Sequence, residues 1–155
     1  MMTLGEALNI RADLQKRIAQ LNERLLENVK VQEGDTPALD PIEVRKELFI
    51  AIDQLGHLVG RINQTNNETP FSETMSLADA LIERENLMKK RDTLNQMINR
   101  ASENANRYSM SEIKFLSIVD VAELSKEYDA LAKKWRELDT QIQATNWRTA
   151  LVEAK

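Results

Sequence analysis

Apolar residues recur at helical spacing in four stretches of this chain, and each stretch opens on the same kind of polar start signal. In the first, Ala7, Leu14, Ile18, Leu21 and Leu25 follow a three-four spacing that lays one apolar stripe along a helix. Thr3 precedes the stripe with Glu6 three residues on, a capping box in which hydroxyl and carboxylate each satisfy a backbone N–H that the helix itself leaves unpaired. Asp40, Pro41 and Glu43 open the second stretch, with Pro41 at the first helical position, where its missing N–H costs nothing, and Glu43 completing a box. Its stripe is Leu48, Ile52, Leu55, Val59 and Ile62. Ser76 and Asp79 open the third, which carries Leu77, Leu81, Leu87, Leu94 and Ile98 towards Ala105. Asp120 and Glu123 open the fourth, where Leu124, Tyr128, Leu131, Trp135, Leu138 and Ile142 hold the heptad register of a coiled coil. The turn formers Gly34, Asp35 and Pro37 interrupt the pattern after the first helix, and Pro70 interrupts it after the second.

The four stretches are one hairpin written twice. Residues 3–22 realign with residues 76–95 without a gap at an offset of 73, with Leu4/Leu77, Ala7/Ala80, Leu8/Leu81, Arg11/Arg84, Leu14/Leu87, Lys16/Lys89, Leu21/Leu94 and Asn22/Asn95 identical. Farther on, Ile62, Thr65, Asn66 and Thr69 match Ile142, Thr145, Asn146 and Thr149 at an offset of 80. The expected fold is therefore all-α: a single helical domain over 1–155, in which hairpin 3–66 and hairpin 76–149 make an up-down-up-down four-helix bundle about a pseudo-twofold axis. The step from 73 to 80 puts seven extra residues inside the second hairpin. They fall near Ser109 to Val121, where Ile113, Phe115, Ser117 and Val119 alternate with Lys114, Leu116, Ile118 and Asp120. Both faces of that segment are largely apolar, which predicts an extended arm that must be covered by something. It either folds back over the bundle end or packs on, or adds a strand to, another copy. Ile113, Phe115, Leu116, Ile118 and Val119 are thus interface candidates, and a homo-oligomer is the expected state.

Composition narrows the classes of function. Apolar residues are 42% and charged residues 30%, with four glycines and three prolines, a mix that favours long helices. The net charge of −4 comes from interspersed charges, which leaves no field to hold a nucleic-acid backbone. Cysteine is absent, excluding disulfides, thiolate metal sites and cysteine nucleophiles. The N-terminal sequence has no basic segment followed by an apolar run, so no Sec-type leader is expected, and the longest apolar runs, Leu48 to Ile52 and Phe115 to Val119, are far short of a membrane span. The expectation is a cytoplasmic protein with no nucleic-acid partner and no membrane span.

Candidate chemistry is sparse. His57 is the single histidine, so a multi-histidine metal site cannot form and a Ser-His-Asp triad has one possible base. There is no Glu-x-x-His pair and no glycine-rich phosphate loop, so no cofactor, metal or catalytic residue is assigned. Arg11 and Arg84 occupy equivalent places in the repeat, and both fall on the apolar seam. A guanidinium there pairs with a carboxylate such as Asp53, Glu137 or Asp139, or serves with its repeat mate as a symmetric anion site, with His57 as a further ligand candidate. Thr65-Asn66 and Thr145-Asn146 read as helix closures, Gly56 and Gly60 as a place of close helix approach or a small pocket, and Trp147 as a seal on the bundle end.

Several strings resemble one family. LGEALNIRADLQKRIAQLNERLLENVKVQEGD at the start, RINQTNNET with ADALIERENL in the middle, RYSMSEIKF, and RELDTQIQATNW near the end are similar to the septicolysin-like family of small bacterial helical proteins. The resemblance implies a bacterial all-helical protein, and the family name suggests a cytolysin. The chain offers no basic amphipathic lytic helix to carry that activity. The expected function is that of a non-catalytic helical bundle acting through oligomerisation and contact with a protein partner. The alternatives are a small-molecule or anion-binding bundle, with or without catalysis, on Arg11 and Arg84, and a cytolysin.

Overall fold

The structure, a computed structural model, describes residues 1–103 and 113–154. The chain is all-α, with α1 at Leu4–Glu27, α2 at Pro41–Glu68, α3 at Leu77–Ser102 and α4 at Val121–Arg148, and no strand among the described residues. All four helices begin one residue after the expected cap. Thr3 and Glu6 form the capping box, with Thr3 N–H donating to Glu6 Oε2 at 3.0 Å and Glu6 N–H to Thr3 Oγ1 at 3.1 Å. Asp40 Oδ1 accepts from Ile42 N–H and Asp120 Oδ1 from Glu123 N–H. Glu43 does not complete a box as expected; its carboxylate lies 3.3 Å from Lys46 Nζ, one turn on, where an ion pair competes for it.

The chain divides into two compact units, Met1–Ser76 with Ala144–Lys155, and Leu77–Gln143. In the first, α1 and α2 form an antiparallel hairpin around Leu21, Val44, Leu48 and Ala51, with Ile18 and Leu25 packed against them. The buried side of α2 is rotated from the expected stripe: Val44, Ala51 and Leu58 point inward with Leu48 and Ile62, while Ile52 is exposed. The apolar run Leu48 to Ile52 covers more than a full turn, so its members cannot all face one core. Between the helices, Asp35 N–H donates to Gln32 C=O at 2.9 Å, and Gly34 sits at φ +93°, the left-handed conformation that the third position of a type II turn requires. Asn28 ties the two ends of this loop, donating from Nδ2 to Arg24 C=O and accepting from Leu39 N–H.

The ends of the chain meet in the same unit. Thr3 forms an isolated antiparallel bridge with Ala150, and Pro70 forms one with Ser76. These two bridges correspond to each other at offsets of 73 and 80, so the same backbone contact is made twice. Leu4 N–H donates to Thr149 C=O, and Leu151 N–H to Met2 C=O. Thr65, 1% exposed, donates from Oγ1 to Arg61 C=O at 2.7 Å and accepts from Val152 N–H at 3.0 Å, while Arg61 Nε donates to Val152 C=O at 2.9 Å. Thr69 and Thr149 each bond back by both N–H and hydroxyl to the carbonyl four residues earlier, so the closure expected at Thr65-Asn66 and Thr145-Asn146 is made one turn later, with Thr65 and Thr145 buried and supplying the carbonyls. Trp147 lies flat against Gly5, whose missing side chain makes the contact possible: a Cβ there would stand 2.6 Å from the indole ring.

In the second unit, Leu77, Ala80, Leu87 and Leu94 are the buried positions of α3, and Ala132 and Ile142 those of this part of α4. The two helices are tied by Arg84 with Asp139 and by the Arg91 guanidinium, 5.7 Å from the centre of the Trp135 ring.

Candidate functional site

The segment expected to form an extended arm is extended and exposed. Its first residues, 109–112, lie outside the described residues; from Ile113 to Asp120 it takes no regular secondary structure. It does not fold back to bury its apolar side chains. Phe115 is 78% exposed, Leu116 82% and Ile118 98%, with Ile113 also open and Val119 partly covered. Ser117 fixes its end locally, its hydroxyl accepting from Val119 N–H and donating to Val119 C=O.

Phe115 to Val119 run beside the last turns of α3 and leave an open cleft of about 570 Å³. Met97 and Ala101 give the opposite wall its apolar surface, and Arg100 and Glu103, 3.7 Å apart, form its charged lip. A cleft with apolar walls and a short charged edge suits an apolar side chain or a helix turn from another chain. It holds no convergent set of titratable groups, and among the described residues no cluster of His, Asp and Glu could hold a metal ion. Sequence reading missed the wall: Met97 falls three residues after buried Leu94, at the spacing of a core position, and only its 39% exposure sets it apart.

The other candidates separate. Arg84 Nη1 stands 2.7 Å from Asp139 Oδ1, with both side chains about a quarter exposed, so the pairing with a carboxylate of α4 is made. Arg11 is half-buried and makes no hydrogen bond or ion pair among the described residues, and Asp53, suggested for it, is exposed and unpaired. The repeat explains the difference, because the position equivalent to Asp139 is Val59. Glu137 pairs with Lys133 on its own helix. His57 is exposed, with no hydrogen-bond partner among the described residues. Among the described residues, Gly56 and Gly60 give neither close approach nor a pocket: a Cβ at either would meet nothing within 4 Å. No described helix is long and apolar enough to cross a membrane.

A solved protein of the same architecture exists. A crystal structure of a functionally unknown conserved protein from Corynebacterium diphtheriae is 45% identical, with a TM-score of 0.90 over 97% of this chain and 99% of that one. No curated protein matches. The family profile that matches, over residues 11–151, is that of a family of unknown function. This overturns the septicolysin-like resemblance. Neither comparison points to a cytolysin. The chain belongs to the family of unknown function DUF6847.

Proposed function

We propose that this is a non-catalytic cytoplasmic protein that works by self-association and by presenting a surface to a protein partner, with the arm from Ile113 to Val119 as its contact. One observation carries the reading: four large apolar side chains on a short irregular segment stand open beside an apolar cleft. Exposed apolar surface of this kind, gathered rather than scattered, marks interaction sites in soluble chains. The absence of cysteine fits a reducing compartment. The test is the native mass of the doubly substituted chain Leu116→Ser, Ile118→Ser. Both positions are exposed, so the fold is retained, and the mass is expected to fall towards the 17.8 kDa of one chain. An assembly of unchanged mass and affinity would remove the arm from the reading.

A second reading is supported by Arg11, a half-buried guanidinium without a carboxylate, as part of a small-anion site; Arg84, its repeat mate, is already neutralised by Asp139. Phosphate should then raise the melting temperature of the native chain and fail to raise that of Arg11→Met. Equal responses from both proteins would exclude it.

A further inference from the structure

We propose that the outer face of α2 is a second docking surface, independent of the arm, and that its occupant is another copy of this chain packed antiparallel across Phe49. The run Leu48 to Ile52 wraps the helix, so that Leu48 and Ala51 enter the core while Phe49, Ile50 and Ile52 remain open, Phe49 at 57%. At 100° per residue, Ile42, Phe49 and Gly56 fall within about 40° of one another, on a strip running about 21 Å along the side opposite the core. Ile42 is exposed as well. A helix apolar on both sides is one that is covered on both sides.

The internal repeat supplies a control. At an offset of 80, the positions of α4 that answer to Ile42, Phe49, Gly56 and Gly60 are Ala122, Asp129, Arg136 and Thr140, all exposed. The same place in the same fold, left to water, is therefore written with polar and small residues. On α2 it is written with two large apolar residues and two glycines. Those glycines weaken a helix relative to alanine, and among the described residues nothing lies within 4 Å of a Cβ placed at either. A side chain or backbone arriving from outside is what a bare strip beside Phe49 and Ile52 accommodates.

Charge selects the occupant. Arg45 and Asp53 stand four residues either side of Phe49 on the same exposed face, and neither makes an ion pair or hydrogen bond among the described residues. A second α2 crossing antiparallel at Phe49 sets Arg45 against the partner's Asp53, and Asp53 against the partner's Arg45. It also lays Ile42 over the partner's Gly56. A parallel copy would face like charge with like. The face is thus complementary to itself under a twofold rotation, the pattern of an isologous contact.

The test is charge reversal in the full chain, read as the dissociation constant of the assembly by sedimentation over a concentration series, with helix content checked by circular dichroism. Arg45→Asp alone and Asp53→Arg alone each place like charges at two symmetric contacts and should weaken self-association about tenfold or more. Combining them should restore it to within about threefold of wild type, because the pairs reform with reversed sign. Gly56→Leu should block association while the chain stays folded, its side chain entering the space now open. Single reversals with no effect, or a double no better than the singles, would overturn the α2 contact and leave the arm reading standing. Loss of association only in the arm variant would do the same. Association unchanged in the arm variant but lost in Arg45→Asp would reject the arm and keep α2.

Discussion

Replacing Thr65 by valine tests the contact that closes the chain upon itself. The side chain is 1% exposed, and valine matches its shape, so the substitution removes a hydroxyl and little else. Two bonds go with it: the one donated to Arg61 C=O and the one accepted from Val152 N–H. The first is dispensable, because Arg61 C=O also faces the helical N–H of residue 65. The second is not: Val152 N–H has no other acceptor among the described residues and sits in a partly buried site. A buried donor left unsatisfied costs about 1–3 kcal/mol, and partial exposure of Val152 puts the expected loss at about 1–2 kcal/mol. For a chain of this size, that lowers the melting temperature by about 3–6 °C. Urea unfolding should show a lower midpoint at unchanged slope, since the surface exposed on unfolding is the same. Amide exchange gives the local readout: Val152 N–H should exchange faster, while the α1–α2 core amides slow or speed only with global stability. Thr65→Ser, which keeps the hydroxyl, should preserve Val152 protection. A loss below about 0.5 kcal/mol with Val152 protected as in wild type would refute the claim that this hydroxyl anchors the C-terminal segment.

Three further substitutions separate backbone, packing and charge. Gly5→Ala puts a methyl group 2.6 Å from the Trp147 ring; alanine's helix preference recovers about 1 kcal/mol of an overpacking cost of about 1–3 kcal/mol, so a net loss of about 1 kcal/mol with red-shifted tryptophan emission is expected. Gly34→Ala meets no atom within 4 Å, so its cost is the φ of +93° alone, about 1 kcal/mol by urea unfolding. Asp139→Asn leaves the Arg84 guanidinium uncompensated in a site about a quarter exposed; about 1 kcal/mol is expected at low salt, with the difference from wild type shrinking in 1 M NaCl as screening weakens the pair.

Helix boundaries were legible because caps are local. Thr3, Asp40, Ser76 and Asp120 each announce a start from within three residues, and α1, α2, α3 and α4 begin at Leu4, Pro41, Leu77 and Val121. The partner of Arg84 was legible in part, because the repeat put the guanidinium on the seam and α4 offered Glu137 and Asp139 among its carboxylates. The facing of α2 was not, because Leu48 to Ile52 is apolar at every angle and spacing alone cannot say which member is inside. Contacts such as Arg61 with Val152 join residues 91 apart, and no periodicity carries that information. The arm was visible as an apolar run outside any helix, whereas its cleft was hidden because Met97 keeps core spacing.

Where the two halves of a repeat diverge, something other than the shared fold sets the residue. At the junction of the chain ends, Gly5 and Trp147 replace what the other half writes as Ala78 and Asn67, and Arg61 stands where the other half has Gln141. Each of these differences makes a contact in the structure: the indole on Gly5, the guanidinium on Val152 C=O. Divergence there is explained by closure of the chain. The same comparison finds two more places of divergence, the seven-residue insertion in the second hairpin and the outer face of α2, and in both large apolar side chains stay exposed, Phe115 and Ile118 in one, Ile42 and Phe49 in the other. If drift alone had produced them, exposed positions would tend towards polar residues, as α4 shows with Asp129 and Arg136. In the antiparallel contact proposed for α2, the second copy covers Phe49 and sets its Asp53 against Arg45, the cover and the charge partner that the described residues of one chain do not supply.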